Sequence, residues 1–96
     1  METFLTLIKG ENMLELIEVR IRDVLRDHGR LNQDIERIDI QTDLYKSGMT
    51  SHASVNVMLA LEGVFDIEFP DHFLKRSVFG SIDSIRRALT ELRVAC

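Results

Sequence analysis

Cys96 is the only cysteine, so no disulfide can close within the chain, and the sequence is not that of a small secreted scaffold held by cystines. Proline is nearly missing as well. Pro70 stands alone, and with five glycines there is little material for many tight turns. Nor is there an excess of basic charge. Twelve Lys and Arg face sixteen Asp and Glu, a net charge of −4, which excludes sequence-independent nucleic-acid binding and leaves basic proteins open as partners. No apolar run approaches the roughly 20 residues of a membrane span. The apolar stretch Phe4–Ile8 is far shorter and lacks the positively charged start of a signal peptide. Together these absences read as a cytoplasmic chain with neither membrane nor nucleic acid among its partners.

What is present favours helices. A chain of 96 residues builds one modest core, and an apolar fraction of 45% is ordinary for a globular domain. Leu, Ile, Glu and Arg are plentiful. Residues 1–12 form a short apolar piece broken by Gly10 and read as an N-terminal extension open to disorder, with the folded domain over 13–96. Asn12 offers a helix N-cap, with Glu15 three residues later as its capping-box partner. Leu14, Ile17, Ile21, Val24 and Leu25 then recur as one apolar stripe, and Gly29 is placed to end the helix. The connection from Leu31 to Ser47 is long for so small a domain. Its Ile35, Ile38, Ile40 and Leu44 read as anchors into the core.

A second helix is expected from about Ser51 to Phe65. Its apolar arc is wide, which marks it as central, and Val55, Leu59, Leu61 and Phe65 are its expected core residues. Pro70 ends the following stretch and starts a short element, with Asp71–Arg76 a brief helix or 3₁₀ turn. After Gly80, Ser81 caps a last helix that turns Ile82, Ile85, Leu89 and Leu92 inward and Arg86, Arg87 and Arg93 outward. The alternating "FDIEF" has no partner strand. The class is therefore all-α, with three main helices, one short helix and a long first loop.

Charge vanishes around the start of the second helix: from Ser47 to Phe65 only Glu62 carries one. A helix N-terminus exposes free N–H groups and a partial positive charge, a natural resting place for phosphate. Ser51 is placed either to cap the helix through its hydroxyl or to carry a phosphodiester, with Thr50 and Ser54 as alternative caps. Catalysis has little to stand on. Ser51 and His52 are neighbours and point in different directions on a helix. No G-x-S-x-G, P-loop or dinucleotide motif occurs, and His28, His52, His72 and Cys96 lack metal-ligand spacing. No catalytic residue and no metal ligand is assigned, and the chain is not expected to be an enzyme.

The segments "DLYKSGMTS" and "LALEGVFDIEFPD", followed by a short helix and a last amphipathic helix, resemble the acyl carrier protein family over about Leu14 to Leu92. The resemblance implies a four-helix bundle whose second helix is the main docking surface. It places Ser51 at the family's modified serine. There a phosphopantetheinyl transferase would attach 4′-phosphopantetheine from coenzyme A, whose thiol carries an acyl or aminoacyl group as a thioester. The stretches "DLYKSGMTSHASVNVML" and "DIEFPDHFLKRSVFGSI" are similar to small bacterial aminoacyl carrier proteins. That likeness implies a small amino acid loaded by an amino acid:carrier protein ligase resembling a truncated seryl-tRNA synthetase. A downstream acyl or aminoacyl transferase would receive it, and the carrier is expected to be a monomer.

Two departures stand out. Thr50-Ser51-His52 replaces the family's usual Asp-Ser-Leu, and the second helix lacks the acidic residues of fatty-acid carriers. Docking is therefore expected through uncharged contacts from Met49, Thr50, His52, Ala53, Asn56 and Val57. The altered triplet also leaves a second reading: a carrier-like interaction module that is not modified, with Ser51 acting only as helix cap.

Overall fold

In the computed structural model of the protein, residues 11–95 are described, with the side chains of 15–92. They form three α-helices: α1 (Glu11–His28), α2 (Ser51–Phe65) and α3 (Ile82–Ala95). Two 3₁₀ turns, Ile35–Arg37 and Asp71–Phe73, interrupt the connections, and the described residues contain no strand. Of the brief helix or 3₁₀ turn expected at Asp71–Arg76, the structure forms the 3₁₀ turn, at Asp71–Phe73. Residues 1–10 of the expected extension lie outside the described residues. The boundary drawn at Met13 falls inside α1, which already includes Glu11 and Asn12. Asn12 is therefore helical rather than a cap: each further residue adds a hydrogen bond, and Asn in a helix costs under about 1 kcal/mol.

The apolar stripe of α1 buries Ile17, Ile21, Val24 and Leu25 against both other helices. The Gly29 N–H closes the last turn on the Leu25 carbonyl at 2.8 Å. A Cβ at Gly29 would stand 2.9 Å from that same oxygen, so the close approach demands glycine. The left-handed residue that turns the chain away is Arg30, with φ 55°. On the outer side, Arg22 pairs with Glu18 one turn back at 3.1 Å and donates to the Ile35 carbonyl. Arg26 bridges Asp23 and Glu36, so α1 and the long loop are also tied by charge.

The long loop behaves as its apolar residues require. Ile35, Ile38 and Leu44 are buried and Ile40 is half-buried. Burying a loop strands its backbone polar groups unless they pair. Here the Leu44 N–H donates to the Gly80 carbonyl at 2.8 Å, and the Asp83 N–H donates to Ile40 at 2.9 Å. These two bonds fasten the loop to the entry of α3. Ser81 caps α3, its hydroxyl accepting from the Ser84 N–H at 3.1 Å, and Ile82, Ile85 and Leu89 fill the core below. Asp83, in the first turn, is buried but paired with Arg86 and Arg87, where a carboxylate also suits the helix dipole.

Candidate functional site

The approach to α2 is built by three consecutive residues with different tasks. Gly48 adopts φ 112°, a conformation that L side chains avoid, and an added Cβ would stand 3.3 Å from the Asn32 nitrogen. Met49 then plunges into the core, its N–H held by the Leu44 carbonyl at 3.1 Å. Thr50 is the N-cap: its backbone is extended, and its Oγ1 accepts from the Ala53 N–H at 3.0 Å. The helix entry is thereby fixed before Ser51 is reached.

Ser51 is the first helical residue and is exposed. It is not the cap, because Thr50 has taken that place. None of the hydrogen bonds among the described residues uses the Ser51 hydroxyl; its carbonyl accepts from Ser54 Oγ at 2.7 Å. The first turn holds no acidic residue, and the N–H groups of Ser51 and His52 belong to the turn that has no intrahelical partner. An anion covalently joined to Ser51 Oγ would meet neither a carboxylate of this turn nor a competing side-chain bond.

Burial corrects the expected docking set. Met49, Ala53 and Val57 are buried at 2%, 1% and 0% exposure; Ala53 and Val57 form the core side of α2 with Leu61, and Met49 enters the core just before the helix. They are not available to a partner. Thr50 and His52 are exposed and Asn56 is half-buried, so these three keep surface. The outward face instead carries Val55 and Leu59, expected in the core but 50% and 53% exposed. The physical reason is rotation. Ala53, Val57 and Leu61 at steps of four define one narrow seam toward α1, and Val55 and Leu59 lie on the opposite side. Gly63, one turn beyond Leu59, has nothing within 4 Å of where a Cβ would be. Glu62, the one charge on the helix, spends its carboxylate on the Phe69 N–H at 2.9 Å.

Beside Ser51 opens a surface groove of about 410 Å³. Its lining comes from Ser51, Ser54, Val55 and Met58 of α2 and from Tyr45, Leu74, Lys75, Arg76 and Phe79 of the connecting segments. Phe79 is braced edge-on against Phe69, centroids 5.3 Å apart. The Arg76 guanidinium lies 3.8 Å from the centre of the Tyr45 ring, a cation–π contact worth about 0.5–1 kcal/mol at an exposed site. Tyr45 and Arg76 escaped the sequence reading because nothing in the spacing of such distant residues marks them as a pair. Val55 and Leu59 had a usable signal, the small residue Ala53 in line with Val57 and Leu61.

Comparison with known proteins agrees with this geometry. The family model described as phosphopantetheine attachment site matches residues 19–88. An aminoacyl carrier protein of Agrobacterium fabrum is 46% identical over 65 residues, which is 68% of this chain and 78% of that protein. Among solved structures, similarity extends to a chain of the complex between an engineered Bradyrhizobium japonicum glycine:[carrier protein] ligase and a carrier protein from Agrobacterium tumefaciens with AMP. That match has a TM-score of 0.74 at 41% identity and covers 76% of this chain and 97% of that one. A solution structure from Agrobacterium tumefaciens matches with a TM-score of 0.66 at 38% identity, over 81% of this chain and 94% of that one.

The chain belongs to the phosphopantetheine-attachment-site family of acyl and aminoacyl carrier proteins. The family's cofactor is covalent 4′-phosphopantetheine, and its members carry a group rather than transform it. Among the described residues no cluster of side chains could hold a metal ion, and no helix is long and apolar enough to cross a membrane.

Proposed function

We propose that this protein is an aminoacyl carrier whose 4′-phosphopantetheine arm is attached at Ser51, and that it acts as a monomer in the cytoplasm. The observation that carries the assignment is the division of labour at the helix start. Thr50 does the capping, which leaves the neighbouring Ser51 hydroxyl exposed and unengaged. The reading in which Ser51 serves only as a cap loses its physical basis with the same observation. When bound, the arm supplies a terminal thiol that holds the amino acid as a thioester. The chain's own part is to present Ser51 on a rigid helix end, with no acidic residue in the first turn to repel a phosphodiester.

Loading is assigned to an amino acid:carrier protein ligase resembling a seryl-tRNA synthetase, acting after a phosphopantetheinyl transferase and before a downstream acyl or aminoacyl transferase. A small amino acid is supported as the cargo. The matched chain in the ligase complex is 97% covered by this short protein, so the likeness is to the carrier partner of a glycine ligase. A further neighbour, 25% identical with a TM-score of 0.58 and 95% covered, comes from a complex with glycylated carrier protein. The docking surface on this chain is the uncharged outer face of α2, with Thr50, His52 and Asn56 beside Val55 and Leu59. Contacts there are apolar and shape-driven, since the helix offers no free charge for steering.

The test is intact-mass spectrometry after incubation with coenzyme A and a broad-specificity transferase. One phosphopantetheine is expected on the wild type and none on Ser51→Ala. Modification of Ser51→Ala to the wild-type extent would put the arm elsewhere, and a wild type refused by every transferase would overturn the carrier reading.

A further inference from the structure

The fold does not use all of its cations. Arg22, Arg26, Arg86 and Arg87 are paired with carboxylates. Lys75 and Arg76 are exposed, and neither forms an ion pair among the described residues. Arg20, Arg30, Arg37 and Lys46 are unpaired there as well, but only Lys75 and Arg76 line the groove that Ser51 lines. No carboxylate lines it. The attachment site is thus bordered by two positive charges and no negative one, on a chain whose net charge is −4. A single phosphodiester on Ser51 would leave that border positive. The two cations are also held in place. They sit in an exposed stretch, residues 74–77, with the buried rings of Phe73 and Phe79 near its ends. The Lys75 N–H donates to the Phe73 carbonyl at 2.9 Å, and the Lys75 carbonyl accepts from the Val78 N–H at 3.1 Å. The Arg76 guanidinium is stacked on Tyr45. The Asp43 carboxylate accepts from the Tyr45 and Lys46 N–H groups at 2.9 and 3.2 Å, so it serves the turn and does not pair with Arg76.

We infer that Lys75 and Arg76 are the charged half of the docking surface, and that the ligase meets them with an acidic patch. The inference rests on the ligase reading proposed above. Helix α2 supplies the uncharged half at Val55 and Leu59, and its one carboxylate is already engaged by the Phe69 N–H. An apolar face excludes water but gives a partner little sense of direction. Fixed charge beside it supplies the direction, and here that charge is positive and lies off the helix. Acidic groups are its complement. Cations on the partner would repel it, and a neutral surface would cover Lys75 and Arg76 without pairing them. The net charge of −4 does not oppose this, because the Debye length is about 8 Å at physiological ionic strength. A partner at this face responds to the local charge. Arg76 suits a carboxylate in particular: one face of the guanidinium stacks on the ring while its N–H edge offers paired donors.

The experiment is steady-state glycylation of the holo protein by the engineered Bradyrhizobium japonicum glycine:[carrier protein] ligase, with intact mass confirming the arm on every variant. Lys75→Glu is compared with Arg20→Glu, at an exposed position of α1, because both change the net charge equally. At an ionic strength of about 0.01 M, Lys75→Glu is expected to lower kcat/KM for the carrier about fivefold or more, through KM and with kcat unchanged. Lys75→Gln is expected to fall between that variant and the wild type, and Arg76→Gln to act in the same direction. Arg20→Glu is expected to stay within about twofold of the wild type. The gap between wild type and Lys75→Glu is expected to close at about 1 M salt, where the Debye length is about 3 Å. A Lys75→Glu variant loaded as well as the wild type at low salt, or better, overturns the inference while leaving carrier function intact. So does an equal loss in Arg20→Glu, which would make net charge responsible rather than this patch. Holo wild type that the ligase never loads overturns the ligase reading beneath it.

Discussion

Helices α2 and α3 line the same core, yet they declare their orientation differently. In α3 the inward residues Ile82, Ile85 and Leu89 alternate with Arg86, Arg87 and Glu91, so charge marks the outer face. In α2 the one charge, Glu62, is engaged by the Phe69 N–H, and neither face is otherwise charged. Ala53, Val57 and Leu61 point in, Val55 and Leu59 point out, and polarity does not separate them. A helix that must meet only water can afford to advertise its exposed side. The docking proposed for α2 would use an exposed side that carries no free charge, and that outer face resembles a core.

The largest effect that sharpens this contrast is in the seam of α2. Leu61→Ala is expected to cost about 2–5 kcal/mol in urea unfolding, whereas Leu59→Ala, half-exposed, is expected to stay within about 0.5 kcal/mol. Equal losses would mean that the helix is rotated from the position described. Next comes the outward face in the docking role proposed for it. Leu59→Asp is expected to lower the ligase's kcat/KM for this carrier by about tenfold or more, the size of a binding hot spot, with stability nearly unchanged. Undiminished loading would move docking off this face.

Smaller effects separate the neighbours at the helix start. Thr50→Ala removes the cap and is expected to lower stability by about 0.5–2 kcal/mol. Ser51→Ala is expected to fall within about 0.5 kcal/mol while abolishing attachment. A reversal of those two stabilities in thermal melts would return the cap to Ser51. The smallest effect has the opposite sign. Gly63→Ala is expected to raise stability by about 0.5–1 kcal/mol, since glycine weakens a helix and the added methyl meets nothing. Destabilisation there would reveal a constraint that the free surface at Gly63 does not show.

Much of this was readable from residue order alone. The α1 stripe, the anchors Ile35, Ile38 and Leu44, the Ser81 cap and the inward side of α3 all follow from local preference and period, because in those segments polar residues fill most outward places, with Val19 an exception. The resemblance carried by "DLYKSGMTS" and "LALEGVFDIEFPD" marked Ser51 as the attachment residue, and its unengaged hydroxyl supports that reading. Other features needed the folded chain. Capping was open among Thr50, Ser51 and Ser54 until the backbone chose Thr50, since all three are hydroxyl residues within one turn.

By itself, then, the sequence determined the class, the number of main helices and the loop anchors, because each rests on a periodicity or a motif within one stretch of chain, and it marked Ser51 as the proposed attachment residue. The tertiary structure decided which apolar side of α2 faces outward, which hydroxyl caps it, and that Tyr45 and Arg76 meet beside Ser51. Those outcomes depend on how α1 packs onto α2 and on how the segment after Pro70 folds back along it. Contacts between distant segments leave no period in the sequence, so only the packed chain could settle them.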